Sequence, residues 1–311
     1  MKRQIRIGIA ILLVAGVAPF AQQAQQAQTD RITVPLSNPG KPGTVEVSLL
    51  IGSIKVIGYE GKGVIVEATP RDKNIKDSEK TTGFAVAVPQ DVPRPPRPVF
   101  RTSAGEQDKE KERKDKAAGM KRIPIENTGL TVEEENNEVK IEVESWKRAV
   151  DLTIRVPYAT SLKLDGGNIG EISVENVTGE VEAENMNGGI KLSNIAGTVV
   201  ANSTNGDITA VLIKVTPDKP MSFATFNGDI DVTLPADVKA TLRIKSTQGE
   251  VFSDFDIAFK SVPVKPEESA KKEGGKYRIE LDRSVYGTIN GGGPELKLQN
   301  FSGDIYIRKK K

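Results

Sequence analysis

Gly170–Lys214 reads GEISVENVT GEVEAENMN GGIKLSNIA GTVVANSTN GDITAVLIK, five consecutive units that each open on a glycine. Gly170, Gly179, Gly188, Gly197 and Gly206 fall nine residues apart, and each starts the pattern Gly-x-[Ile/Val]-x-[apolar]. A fixed short period marks a repeat architecture. Strand residues alternate between faces, so the third and fifth positions share one face. These are Ile172/Val174, Val181/Ala183, Ile190/Leu192, Val199/Ala201 and Ile208/Ala210, the predicted core. The eighth positions, Val177, Met186, Ile195, Thr204 and Ile213, are expected to turn inward at the corners. Three inward side chains cannot offset the entropy of ordering nine residues, so each unit needs neighbours to stack on.

The corners alternate in kind. Asn187-Gly188 and Asn205-Gly206 lie 18 residues apart, with Thr178-Gly179 and Ala196-Gly197 between them, also 18 apart. Two corner types imply a two-sided coil of 18 residues. Asn187 and Asn205 should then stack about 4.8 Å apart, with amides bonding along the axis, and Asn176 and Asn194 should do likewise. The fold class predicted is all-β, a single-stack β-solenoid with about 18–22 residues per coil. The competing arrangement is an antiparallel β meander or sandwich, because Asn-Gly is also a strong hairpin signal. A meander gives no reason for the 18-residue alternation.

Outside the array the spacing loosens. Gly228-Asp-Ile-Asp-Val, Gly249-Glu-Val and Gly303-Asp-Ile-Tyr-Ile open similar units. Alternating apolar residues predict first β coils over 31–69, then strands at Leu130–Val132, Val139–Val143 and Val150–Val156, and two or three more between Val285 and Arg308. The solenoid is expected over 130–311, with a polar loop at 263–275. Residues 70–129 break the pattern. Pro89–Pro98 leans to polyproline II, and Glu106–Lys116 is almost wholly charged, so this insertion is expected to be largely disordered. A strand is also conceivable at Phe84, Val86 and Val88.

Met1–Arg6 is basic, Ile7–Phe20 is apolar, and Gln22–Gln28 is polar. That order predicts a signal peptide ending near residue 24, then a polar spacer over 25–30. Loss of Lys2, Arg3 and Arg6 takes the formal charge from +2 to −1. The mature chain then has no field to attract nucleic acid and no integral membrane segment. There is no Cys and no His, which removes disulfides, thiolate sites and the commonest general base. Export places the chain in the periplasm, at the cell surface or outside the cell.

Asp207, Asp229, Glu250 and Asp304 share the position after the turn glycine, where stacked coils would align them. They are expected to be outward polar residues beside tight turns. A paired-carboxylate hydrolase needs two carboxyls facing each other across a cleft. Calcium-binding nonapeptides carry Asp where this chain has Glu175, Glu184, Ser193 and Asn202. Glu171, Glu175, Glu180, Glu182 and Glu184 are expected to form a solvated acidic stripe. Gly291-Gly-Gly-Pro294 lacks the Gly-Lys-[Ser/Thr] of a phosphate loop, and Arg308–Lys311 reads as a solvated basic end. No catalytic, cofactor-binding or metal-binding residue and no cofactor is predicted.

At Asn187, Asn205 and Asn227, each opening Asn-Gly-[Asp/Gly]-Ile, the chain resembles the bacterial "putative adhesin" family of exported β-solenoid-like proteins. Ser302–Arg308, Asp151–Pro157 and Val285–Pro294 carry the same resemblance. It implies an exported, non-enzymatic adhesin or envelope-interaction module. The implied partner is an envelope or surface polymer or protein, with self-association as a further possibility. The alternatives are a polysaccharide-acting β-helix enzyme and a self-assembling envelope scaffold.

Overall fold

A computed structural model describes residues 29–71, 128–145, 148–217, 219–260, 266–267, 280–281 and 284–311. The expected signal peptide, the Pro-rich and charged stretches, the strand expected at Phe84, Val86 and Val88, and most of the expected 263–275 loop lie outside the described residues. The described residues form strands and turns without a helix. Two large sheets, of 10 and 11 strands, face each other across one continuous core.

Each rung contributes one strand to each sheet. Within the array Val181–Asn187 lies parallel to Val199–Asn205 with Val181 opposite Val199, and Ile190–Ile195 lies parallel to Ile208–Leu212 with Ile190 opposite Ile208. Both offsets are 18 residues, so the nonapeptide is half a coil. The third and fifth positions are buried throughout, from Ile172 and Val174 to Ile208 and Ala210. Antiparallel pairing occurs near the two ends of the stack, for example at Asp30–Pro35 with Gly63–Pro70 and at Ala240–Gln248 with Val285–Ile289. It also joins two short strands, Pro266–Glu267 and Glu280–Leu281, in a separate small sheet.

The rungs do not stack in chain order. The rung of Thr44–Leu49 and Ile54–Tyr59 sits between the rung of Glu138–Val143 and Val150–Pro157 and the rung of Ser161–Gly166 and Ile172–Glu175. At the other end the chain makes the same exchange. The rung of Glu295–Ser302 and Ile305–Lys309 slots between that of Met221–Asn227 and Ile230–Leu234 and that of Ala240–Gln248 and Val251–Ser253. The last segment thereby buries Ile305 and Ile307 in the stack, and the earlier Val251–Ser253 is left on the end, where all three residues are exposed.

The eighth positions split, which corrects the expectation that all turn inward. Val177 and Ile195 are buried, whereas Met186, Thr204 and Ile213 are exposed. At the Asn-Gly corner the seventh position turns inward instead, which aims the eighth outward. Ile213 is displaced by a shift in register, since Leu212 stands opposite Ile195 and takes the buried place.

Candidate interaction surface

The Asn-Gly corner is set by a column of glycines. Gly188 has φ of +152°, and a Cβ there would lie 1.8 Å from the Gly170 carbonyl oxygen. Only a residue without a side chain lets the rungs close to ladder distance. The column continues through Gly206, Gly228, Gly303 and Gly249, in the exchanged order.

Beneath the glycines runs a buried polar column absent from the expectations above. Asn185, Ser203, Thr225 and Asn300 are all buried. Asn185 Nδ2 donates to the Gly170 carbonyl at 2.9 Å, Ser203 Oγ to Gly188 O at 3.2 Å and Thr225 Oγ1 to Gly206 O at 2.9 Å. Asn300 Nδ2 donates to Gly303 O. Corner carbonyls that point into the core would otherwise lack partners. The signal was present in the sequence: inward alternation runs Val181, Ala183, Asn185 and Val199, Ala201, Ser203, ending on a small polar residue each time.

Three rows of side chains face out along this corner. The amide row is hydrogen-bonded along the axis, with Asn205 Nδ2 donating to Asn187 Oδ1 at 2.9 Å and Asn227 Nδ2 to Asn205 Oδ1 at 2.8 Å. Ser302 and Gln248 continue it in register. The second row holds the carboxylates singled out by sequence. Asp207 Oδ1 accepts the Asp229 N–H, Asp229 Oδ1 accepts the Asp304 N–H, and Asp304 Oδ1 accepts the Glu250 N–H, each at 2.8 Å. The carboxylates are therefore aligned, and three of them are rung-to-rung acceptors. The third row is Met186, Thr204, Phe226 and Phe301. Met186 and Phe226 are about half exposed, at 53% and 52%, and the Phe226 and Phe301 rings stack at 4.7 Å. On the far side of the carboxylates Phe252 stacks on Tyr306 at 5.3 Å.

Tyr306 is coupled to the carboxylate row. Its hydroxyl donates to Asp304 Oδ2 at 3.1 Å, and this bond holds its phenol above the usual 10.0. Arg308 Nε reaches both oxygens of Asp231, at 2.8 and 2.9 Å, which raises the guanidinium pKa further.

The five glutamates expected to share one acidic stripe are divided between the sheets, because the half-coil repeat sends successive units to opposite sides. Glu175 pairs with Lys55 at 3.4 Å, Glu180 pairs with Lys219, and Glu184 accepts from Asn202 Nδ2 at 3.3 Å. Among the described residues no group of three or more Asp or Glu is arranged to hold a metal ion. The second corner has its own amide contact. Asn194 Nδ2 donates to Asn176 Oδ1 at 3.2 Å, and both residues have φ near +58°.

The family model for Toastrack DUF4097 matches residues 151–308, half of the chain. The chain belongs to the Toastrack family. The Toastrack match begins at Asp151 and so excludes Thr44–Tyr59, the segment that the fold inserts into the stack beside it. Two solved structures are similar to this Toastrack chain. A putative cell adhesion protein from Clostridium sporogenes is 12% identical, with a TM-score of 0.40, over 92% of this chain and all of the other. A putative adhesin from Bacteroides fragilis is 9% identical, with a TM-score of 0.29, over 91% and 97% of the two chains. No curated protein matches the chain.

Proposed function

We propose that the chain is an exported, non-enzymatic Toastrack module that engages an envelope or surface polymer, or a surface protein, through the Asn-Gly corner. The observation that carries this reading is the corner itself. Adjacent rungs repeat the amide row from Val181–Asn187 to Ala240–Gln248, and the carboxylate row from Asp207 onward, about 4.8 Å apart, presenting similar polar groups on successive rungs. Such a surface suits a repeating partner, for which weak contacts add by multivalency. The carboxylates support a non-enzymatic role, since they stand in one row with three of them bound to backbone N–H groups rather than facing each other across a cleft. Among the described residues no helix is long and apolar enough to cross a membrane. The two similar solved structures are described as a putative cell adhesion protein and a putative adhesin, and the basic, apolar N-terminus favours export to the periplasm, cell surface or medium.

The test is co-sedimentation of the purified protein with peptidoglycan sacculi and with intact bacterial cells. Binding that is lost in Met186→Ala/Phe226→Ala/Phe301→Ala is the expected result. Absence of binding to both, or binding unchanged by these substitutions, overturns the reading.

Self-association is a second reading with its own observation. Val251 occupies a core-facing register opposite Ile305, and Val285 one opposite Ile244, yet they are 43% and 49% exposed at the end of the stack. Terminal rungs of solenoids need polar covers, and a second copy would supply one. A monomer at every concentration in sedimentation equilibrium rules this out.

A further inference from the structure

Arg308–Lys311 reads as a solvated basic end in sequence, but the structure straps it across three rungs. Lys309 N donates to Asp254 Oδ2 at 3.2 Å and Lys310 N to the Leu234 carbonyl at 2.8 Å. The Lys309 ammonium lies 5.1 Å from the centroid of the buried Phe255 ring, a cation–π distance. A cavity of about 590 Å³ opens here, lined by Thr233, Asp254, Arg308, Lys309, Lys310 and Lys311.

The charge in this cavity is unbalanced. The Arg308 guanidinium is committed to Asp231 and contributes little net field. Among the described residues no carboxylate side chain pairs with the side chains of Lys309, Lys310 or Lys311, and Asp254 is the one acidic side chain in the lining. Three ammonium groups leave an excess of positive charge in a concave site even with the α-carboxylate of Lys311 counted beside Asp254, and such a site concentrates anions. Ammonium groups are compact point charges suited to phosphate oxygens, and the Thr233 hydroxyl adds a donor at the same wall.

We propose that this cavity is an anion site for a phosphate-bearing ligand, either the headgroup of an anionic lipid or a soluble phosphate chain. Lys309, Lys310 and Lys311 supply the charge, Thr233 the neutral donor, and Asp254 fixes the strap while limiting affinity. This site is separate from the Asn-Gly corner and does not rest on the adhesive role.

Two probes test it with the full mature chain: sodium tripolyphosphate by calorimetry, and vesicles of phosphatidylglycerol against phosphatidylcholine by co-sedimentation, all at low salt. Binding to at least one phosphate-bearing anionic probe is expected, weakened at least about tenfold by Lys309→Glu/Lys310→Glu/Lys311→Glu and by added salt. The strap uses backbone N–H groups, so this variant keeps its circular dichroism spectrum, with a melting midpoint lowered only by loss of the Lys309–Phe255 contact. Asp254→Asn retains an acceptor for Lys309 N and removes the opposing charge, so it tightens binding severalfold. Tripolyphosphate alone binding identifies a soluble phosphate chain, and phosphatidylglycerol alone a headgroup. Failure to bind either, equal binding to phosphatidylcholine, or a folded triple variant that binds as well as the parent overturns the proposal.

Discussion

Replacing Gly188 with Ala tests the corner column at one of its tightest steps. The new Cβ would stand 1.8 Å from the Gly170 carbonyl oxygen, against 3.4 Å or more for ordinary contact. The two rungs must therefore part by more than an ångström. They are tied at this step by Gly170 N–H to Asn187 O at 3.3 Å and Ile172 N–H to Gly189 O at 3.0 Å. Losing about two such bonds costs about 1–3 kcal/mol. Holding φ at +152° with a side chain adds about 1–3 kcal/mol. The expected loss is about 2–6 kcal/mol, read as a lower urea midpoint in far-ultraviolet circular dichroism. Gly291→Ala is the control, because its φ is +87° but nothing lies within 4 Å of the new Cβ. It should cost about 1–2 kcal/mol, the conformational part alone. Equal midpoints for the two variants would refute the close-approach argument.

Three further outcomes follow from the same geometry. Asn205→Ala removes one amide from the middle of its row, where it both donates to Asn187 and accepts from Asn227, and should lower stability by about 1–2 kcal/mol in the same urea assay. Glu134 accepts the Ser37 N–H and then the Ser37 hydroxyl, which hold its pKa below 4.5. Its contribution is complete above the ordinary value of 4.5 and is lost as pH falls through the lower folded value. The stability gap between wild type and Glu134→Gln should therefore shrink on acidification, in urea titrations across that range. Asp304→Ala removes the hydrogen-bond acceptor, and with it the charge, that raise the Tyr306 phenol, so its absorbance titration should move back toward 10.0.

Periodicity made half of this structure legible. Alternation alone placed Ile172, Val174, Ile190 and Leu192 inside, and the 18-residue spacing of Asn187 and Asn205 predicted their hydrogen bond. The rung exchange was hidden, because Gly249-Glu-Val and Gly303-Asp-Ile meet the same corner requirements and glycine spacing does not rank them. One clue lay in the fifth position. Ser253 there is polar and suits an end rung, whereas Ile307 is buried inside the stack. The carboxylate row shows the same boundary. Its residue types were evident, but that Asp304 stands between Asp229 and Glu250 depends on the exchange. The role of Arg308–Lys311 was invisible for a different reason, since a basic tail looks alike whether free or strapped to Asp254 and Leu234.

The amide and carboxylate rows run on unbroken past Asn227 and Asp229 only if the Glu295–Lys309 rung lies between its two neighbours. The chain has no cysteine, so introduced pairs report without background. Asn227 is paired in register with Ser302, and Ser302 with Gln248. Adjacent strands lie about 4.8 Å apart, within disulfide reach, while positions two rungs apart exceed the limit of about 7 Å. Mild oxidation should close Asn227→Cys/Ser302→Cys and leave Asn227→Cys/Gln248→Cys reduced, as read by thiol labelling. The opposite pattern, with Asn227 joined to Gln248 and not to Ser302, would contradict the exchanged stack and the interaction surface built on it.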